Sequence, residues 1–441
     1  MPARREQIVL FDRARVWHPY TSIDAWEKTE PIVVSRAEGS CFWDADGTRY
    51  IDGNSSWWVA ALGHGHPRLL AVMREQSERL AHIALAGITH EPAALLAEEI
   101  VATAPRGLSR VFYTDNGSTA VEVAIKIALQ AWRQRGAPNK TRFVALDGAF
   151  HGDTLGATSL GGVEVFKRPF AGVLFDCVHA PFPEPGAYER AFDAIASIVR
   201  REKDTLAAVV VEPLVQGAAG MRIYDAAFLS ALRDVTRDND VLLVADEVFA
   251  GYGRTGKMWA CDHAGVSPDV MCVGKAFSAM IPMGATLVTE DVFSAFRGGK
   301  DRTLYYGHTF CGNPIGAALA REVLAIYREE RVLEGIPPRA ARIAAAFERI
   351  AQLPGVERVR SIGMIGAADL RPTGEGGYLG ESGWSVYEEA KKRGAYLRPL
   401  GDTVYVCPPL TIAEHELDEL LGILEESVRV VGVARRMATH R

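Results

Sequence analysis

The chain has 441 residues, of which 48% are apolar and 24% charged, a globular composition that excludes wholesale disorder. Its 49 Lys and Arg against 55 Asp and Glu leave a net charge of −6, which argues against a nucleic-acid partner. The most apolar stretch, 207–224, carries Glu212 and Arg222, so no membrane span is expected. The first residues are charged and lack an apolar core, so no secretory signal is expected. Six cysteines are scattered with no CxxC pair. That pattern speaks against a metal site or a disulfide framework and fits a cytoplasmic protein, with all six as buried thiols.

In chain order, the first 65 residues are rich in Trp, Gly and His and show little helical pattern. They are expected to wrap onto the rest of the chain or onto a partner subunit. Within Ser55-Ser56-Trp57-Trp58, an extended backbone would send the two rings to opposite faces. His64 and His66 have no acidic neighbours in sequence and read as turn or packing residues.

Strands are predicted at 110–114, 142–146, 207–211, 241–245, 269–273 and 285–288, with helices at 118–135 and 226–237. This alternation predicts an α/β fold: a mostly parallel sheet flanked by helices, with reactive groups at the carboxyl ends of its strands. Beyond residue 315 helices dominate (315–330, 339–353, 414–430), with short strands at 366–370 and 403–407. The chain therefore divides into an N-terminal segment (1–65), a large domain (66–315) and a smaller α+β domain (316–441). Glycine-rich 371–383 is linker-like.

The chemistry-bearing residues sit at the strand ends. Asp246 closes an otherwise apolar run and is either a satisfied core carboxylate or a site residue. Lys275 follows the next apolar run; alone it reads as a lysine reaching out from the sheet edge. Together they are what pyridoxal phosphate needs: an amine for the Schiff base and a carboxylate to keep the pyridine nitrogen protonated. Asp115-Asn116-Gly117-Ser118-Thr119 lies between a strand and a helix and offers backbone N–H groups to a phosphate, or is an ordinary helix cap. Phe150, in Phe150-His151-Gly152, is placed to stack on a planar ring or to pack in the core. The glycine-dense 251–256 segment, with Arg254, reads as a loop over the site or a plain turn. Arg398 suits capture of a carboxylate; alone it reads as a surface arginine.

With these residues assembled, the chain resembles the class III, fold type I pyridoxal-phosphate aminotransferases from about residue 17 to 430. The marks are Asp246-Glu247-Val248, Gly253-Arg254-Thr255-Gly256-Lys257, Gly274-Lys275, and Gly307-His308-Thr309-Phe310 followed by Gly312-Asn313-Pro314. The resemblance implies that Lys275 is the Schiff-base lysine and proton shuttle, and that Asp246 binds the ring nitrogen. It implies that Gly117 and Ser118 hold the phosphate, joined by His308 and Thr309 of a partner subunit in a homodimer. Phe150 would lie on the ring. Tyr20, Trp57 and Arg398 would line the substrate pocket, with Gly307 against the substrate.

Trp17-His18-Pro19-Tyr20, the Ser-Ser-Trp-Trp segment and Leu397-Arg398-Pro399 resemble the biotin-pathway branch, which aminates 8-amino-7-oxononanoate. Three departures bear on the amino donor: Phe150 where the family usually has Tyr, His308 where Pro is usual, and no Gly-Gly pair after Lys275. Adenosylmethionine is favoured by the aromatic faces of Trp57, Trp58 and Tyr20. The alternatives are lysine as donor to the same acceptor, or another class III ω-aminotransferase of the ornithine or 4-aminobutyrate type.

Overall fold

A computed structural model describes residues 2–374 and 376–439. Its centre is a seven-stranded sheet built from β1 (Leu108–Thr114), β2 (Arg142–Leu146), β3 (Cys177–Ala180), β4 (Leu206–Val211), β5 (Leu242–Asp246), β6 (Val270–Val273) and β7 (Gly284–Thr289). The strand order is β1-β7-β6-β5-β4-β2-β3. The β5–β6, β4–β5, β2–β4 and β2–β3 pairings are parallel; β7 runs antiparallel to both β6 and β1. Strands β4, β5 and β6 are buried throughout, which is why they read as continuous apolar runs rather than alternating ones.

Helix α1 (Gly117–Gln134) buries Ala120, Val121, Ala124, Ile127, Ala128 and Ala131 among others, and packs over β6 and β7. Its apolar residues recur at three- and four-residue spacing, so one stripe faces the sheet. Helix α2 (Ala226–Asp238) covers another part of the sheet through Phe228, Leu229 and Leu232.

Toward the C-terminus, α3 (Pro314–Glu329) packs on the helices Pro67–Arg79 and Glu91–Thr103. A three-stranded antiparallel sheet follows, built from Val356–Ile362, Ile365–Leu370 and Thr403–Val406. It is covered by α4 (Ile336–Ile350), while α5 (Ser382–Lys392) packs on α6 (Glu414–Thr439). Segments from the two halves of the chain meet in a four-stranded sheet. Val34–Glu38, Cys41–Asp44 and Arg49–Asp52 form a meander, and Ala395–Tyr396 joins its edge in parallel.

Several expectations are corrected. The N-terminal stretch holds a 14-residue helix, Pro2–Arg15, and a shorter one, Ile23–Lys28. The longer helix shows little pattern in the sequence because Ile8, Leu10 and Phe11 stay exposed rather than forming a buried stripe. Residues 55–58 are not extended: Ser55, Ser56, Trp57 and Trp58 have φ of 48°, 48°, 62° and 74°. This left-handed turn of non-glycine residues still separates the two rings, leaving Trp57 39% exposed and Trp58 5%. His64 and His66 do have acidic partners, Asp52 at 2.9 Å and Glu330 at 3.5 Å, supplied from elsewhere in the chain. Cys177 and Cys311 are half-buried rather than buried. The 251–256 segment is a run of turns, and a buried one: Arg254 donates to the Pro408 carbonyl at 2.6 Å.

Candidate active site

The strand-end residues converge where β1, β2, β4, β5 and β6 finish. Asp246 is the last residue of β5 and is buried. Its Oδ2 lies 2.8 Å from Nδ1 of His151, and its Oδ1 accepts the Val248 N–H at 3.1 Å. His151 is buried as well, and its Nε2 has no partner among the described residues. Burial pushes the imidazole pKa down, but the hydrogen bond and charge of Asp246 outweigh it and hold the pKa above its usual value.

Lys275 follows β6 after one glycine. Its φ is +46°, a left-handed conformation that a side chain adopts only where the surroundings impose it. Nζ stands 5.1 Å from the centroid of the Trp58 ring, and the Trp58 Nε1–H donates to the Tyr405 hydroxyl at 3.1 Å. Burial lowers the Lys275 pKa, against the opposing charges of Asp246 and Glu212. A lysine so placed yields a free amine more readily, the form that acts as nucleophile or base.

Glu212, directly after β4, was not singled out as a site residue. Burial pushes its pKa up to about 7, opposed by the charge on His151. It accepts the backbone N–H of Phe150 at 3.0 Å and of Gly217 at 2.9 Å. Its signal in the sequence is the one that marked Asp246: a lone carboxylate ending an apolar strand.

The start of α1 forms an anion cradle. Asn116 caps the helix by accepting the Thr119 N–H at 2.9 Å, and its own N–H meets the Thr119 hydroxyl. The Gly117 and Ser118 N–H groups have no partner among the described residues. A side chain on Gly117 would place its Cβ 2.5 Å from Val248 Cγ1, so only glycine lets the helix start this close to the strand-end loop. Residues 150–153 tie the parts together. The Phe150 N–H is held by Glu212, and His151 meets Asp246. Gly152, at φ +128°, leaves no room for a Cβ against Ser118. The Asp153 N–H donates to Ser118 Oγ at 3.1 Å.

An aromatic wall completes the site. The Tyr20 hydroxyl donates to Asp153, and its ring meets Trp57 edge-on at 5.5 Å and Phe166 at 5.4 Å. The Phe150 ring meets Phe166 edge-on at 5.7 Å. Arg398 donates to the Tyr20 carbonyl at 2.8 Å, and its Cζ lies 5.2 Å from the Trp57 centroid and 5.3 Å from that of Trp384. Tyr20, Trp57, Trp384 and Arg398 border a cavity of about 1100 Å³. Asp153, Phe166 and Trp384 carry no signal of their own, because nothing in their local sequence shows which face of the fold they join.

One expected group stands apart. Gly307, His308 and Thr309 make no hydrogen bond to Lys275, Asp246 or the start of α1. His308 Nε2 lies 3.5 Å from Asp115 Oδ1 of the same chain, and its N–H meets Cys311 Sγ at 3.3 Å. The flanking Tyr305 and Phe310 are 78% and 57% exposed.

A strand-end lysine, a buried carboxylate beside a histidine and a helix start with open N–H groups are features that a pyridoxal-phosphate site on an α/β scaffold requires. The chain belongs to the class-III aminotransferases: that family's model matches residues 22–428. It is 39% identical to an adenosylmethionine-8-amino-7-oxononanoate aminotransferase of Geobacter sulfurreducens, covering 96% of this chain and 97% of that one. It is 40% identical to the enzyme of the same name from Nitratidesulfovibrio vulgaris, over 97% of this chain and 83% of that one. Among solved structures, the Methanocaldococcus jannaschii adenosylmethionine-8-amino-7-oxononanoate aminotransferase superposes with a TM-score of 0.92 at 32% identity, covering 96% and 99% of the two chains. The omega transaminase of Pseudomonas jessenii in complex with PMP gives 0.91 at 28% identity, covering 96% and 98%.

The cofactor is pyridoxal phosphate. The residues fit it: open N–H groups at Gly117 and Ser118 suit its phosphate, and Asp246 and Lys275 offer the acceptor and the amine its ring and aldehyde require.

The buried carboxyls have a pH consequence. Glu247 accepts the Ala260 and Cys261 N–H groups at 3.0 and 2.8 Å, and burial raises its pKa from 4.5 to about 7. The folded protein keeps a proton there that the unfolded chain gives up across this window. The contribution is therefore complete below pH 4.5 and is lost as pH rises through about 7. Glu247→Gln should flatten the fall of stability over that range in urea unfolding at stepped pH. An unchanged slope would mean that Glu247 is ionised throughout.

Proposed function

We propose that the protein transfers an amino group to 8-amino-7-oxononanoate, giving 7,8-diaminononanoate for biotin synthesis, with S-adenosyl-L-methionine as the donor. The observation that carries this reading is Arg398, held between two tryptophans and the Tyr20 carbonyl at the rim of the cavity. A guanidinium fixed this way beside an aromatic wall suits a keto acid with an apolar chain and a terminal carboxylate. The names of relatives at 39–40% identity support the same acceptor. The tryptophan and tyrosine faces support a cationic sulfonium donor.

When bound, pyridoxal phosphate supplies an aldehyde that carries the amino group between substrates and a ring that takes up the electrons released on C–H cleavage. Lys275 is the base that takes the proton from the donor's carbon in the first half-reaction and delivers one to the acceptor's carbon in the second, burial favouring its free amine. Asp246 accepts the ring N–H, and Gly117 and Ser118 hold the phosphate through their N–H groups. Phe150 lies on the ring. Tyr20, Trp57 and Gly307 shape the space around the substrate, which fixes which bond faces Lys275.

The reading includes a homodimer with shared sites, in which His308 and Thr309 of one subunit complete the phosphate site of the other. The exposed Tyr305 and Phe310 beside them support it. It also keeps the division at 1–65, 66–315 and 316–441. A cytoplasmic location is supported by six cysteines without a disulfide; among the described residues no helix is long and apolar enough to cross a membrane.

The decisive measurement is the half-reaction. Adenosylmethionine added alone should bleach the cofactor absorbance of the loaded protein, and 8-amino-7-oxononanoate should restore it. Bleaching by lysine alone would replace the donor. No response to either would turn the reading toward other ω-amines.

Arg398→Ala should lower kcat/KM for the keto acid by about 10- to 100-fold, mainly through KM, as expected for losing a charge-assisted pair. An unchanged KM in steady-state assays would remove Arg398 from carboxylate binding. Sharing of sites is checked by mixing Lys275→Ala and Thr309→Glu subunits. Each variant alone should be inactive, and refolded mixtures should regain turnover through the one intact site per hybrid. Mixtures as inactive as the parents would place each site within a single chain.

A further inference from the structure

The segment joining β2 to the short helix Leu155–Leu160 makes a different contact with each successive residue from 150 to 153. Only one of these contacts reaches Asp246. His151 is 3% exposed, its Nδ1 is 2.8 Å from Asp246 Oδ2, and no other side chain hydrogen-bonds that carboxylate among the described residues. The remaining bond to Asp246 is the Val248 N–H on Oδ1. A buried carboxylate keeps its charge and its orientation only through such donors. Two donors on two different oxygens also fix its rotation about the last side-chain bond.

The histidine is itself immobilised from both sides along the chain. The Phe150 N–H before it is held by Glu212 at 3.0 Å. Gly152 after it runs against Ser118, where even a Cβ would come within 2.3 Å of Oγ. An imidazole that merely filled space would not need its Nε2 left unpaired in the core. The arrangement tolerates that cost while keeping the Nδ1 contact short.

We propose that His151 is a positioning residue for the transamination: its Nδ1–H holds Asp246 aimed, so that the carboxylate can accept the cofactor's ring N–H. The inference rests on the reading that Asp246 faces the ring nitrogen. His151 itself need not touch cofactor or substrate. Through the same four residues the ring-nitrogen acceptor, the phosphate cradle and Tyr20 share one rigid segment, so the distances between them are set together.

The test uses the full chain, freed of cofactor and titrated with pyridoxal phosphate and with pyridoxamine phosphate, followed by absorbance. His151→Ala should bind both about tenfold or more weakly and show an altered spectrum of the bound cofactor, as expected for losing a hydrogen bond to a charged group. His151→Asn, whose amide places an N–H near the former Nδ1, should recover most of the affinity and the wild-type spectrum. Asp246→Asn should weaken binding as well, and adding His151→Ala to it should cost little more, because the histidine acts through the carboxylate.

Folded His151→Ala protein, verified by circular dichroism, with wild-type affinity and spectrum would overturn the proposal. So would equal losses in the Ala and Asn variants, which would mark a packing role only. If His151→Ala fails to fold, His151→Phe, which keeps a ring and removes the N–H, takes its place in each comparison: additive losses with Asp246→Asn overturn the proposal. Wild-type binding by Asp246→Asn would instead overturn the reading of Asp246 on which the proposal rests.

Discussion

The site depends on keeping charged groups at the ends of buried strands. Strands β4 and β5 are covered on both faces, yet each finishes on or next to a carboxylate, Glu212 and Asp246. Removing such groups from water is costly unless each finds donors or a proton. The fold supplies both answers. Asp246 receives the His151 and Val248 N–H groups, whereas Glu212 is pushed toward its neutral form and is held by backbone N–H groups. Lys275 stands in the same buried neighbourhood with its proton loosened. A carboxylate ready to accept and an amine ready to act are thus consequences of one desolvated region.

Around this region the backbone is held in conformations it would not choose alone. Lys275, Tyr20 and the four residues from Ser55 to Trp58 all have positive φ. Such positions cost about 1–3 kcal/mol each and persist where tertiary contacts impose them. Here the contacts are visible. Ser55 Oγ donates to the Cys407 carbonyl at 2.7 Å, the Trp58 Nε1–H donates to Tyr405, and Arg398 donates to the Tyr20 carbonyl. The N-terminal segment and the strand Thr403–Val406 with its flanks therefore hold the aromatic wall between them.

Much of the scaffold was legible in the sequence because apolar periodicity is set by burial. The strand 142–146 matches Arg142–Leu146, and the helix predicted at 118–135 is Gly117–Gln134. The N-terminal helix was not legible, since its large apolar residues include several that stay in solvent. The left-handed turn at 55–58 was not legible either, because no glycine or proline announces it. Arg254 lay in a segment whose glycines suggest a loop, but its burial against Pro408 comes from a part of the chain some 150 residues away.

The sequence by itself determined the strand-end placement of Asp246 and Lys275, because both follow apolar runs of a repeating β-α pattern, and its motifs carried the resemblance to the family and so the expected cofactor. It could not show that His151 meets Asp246, that Asp153 meets Tyr20, or that Trp57 and Trp384 enclose Arg398. The first two pairs join residues 95 and 133 apart, and Trp57 lies 341 residues from Arg398. Only the packed sheet, which brings the carboxyl ends of five strands to one edge, decides which of the many polar and aromatic side chains share the site.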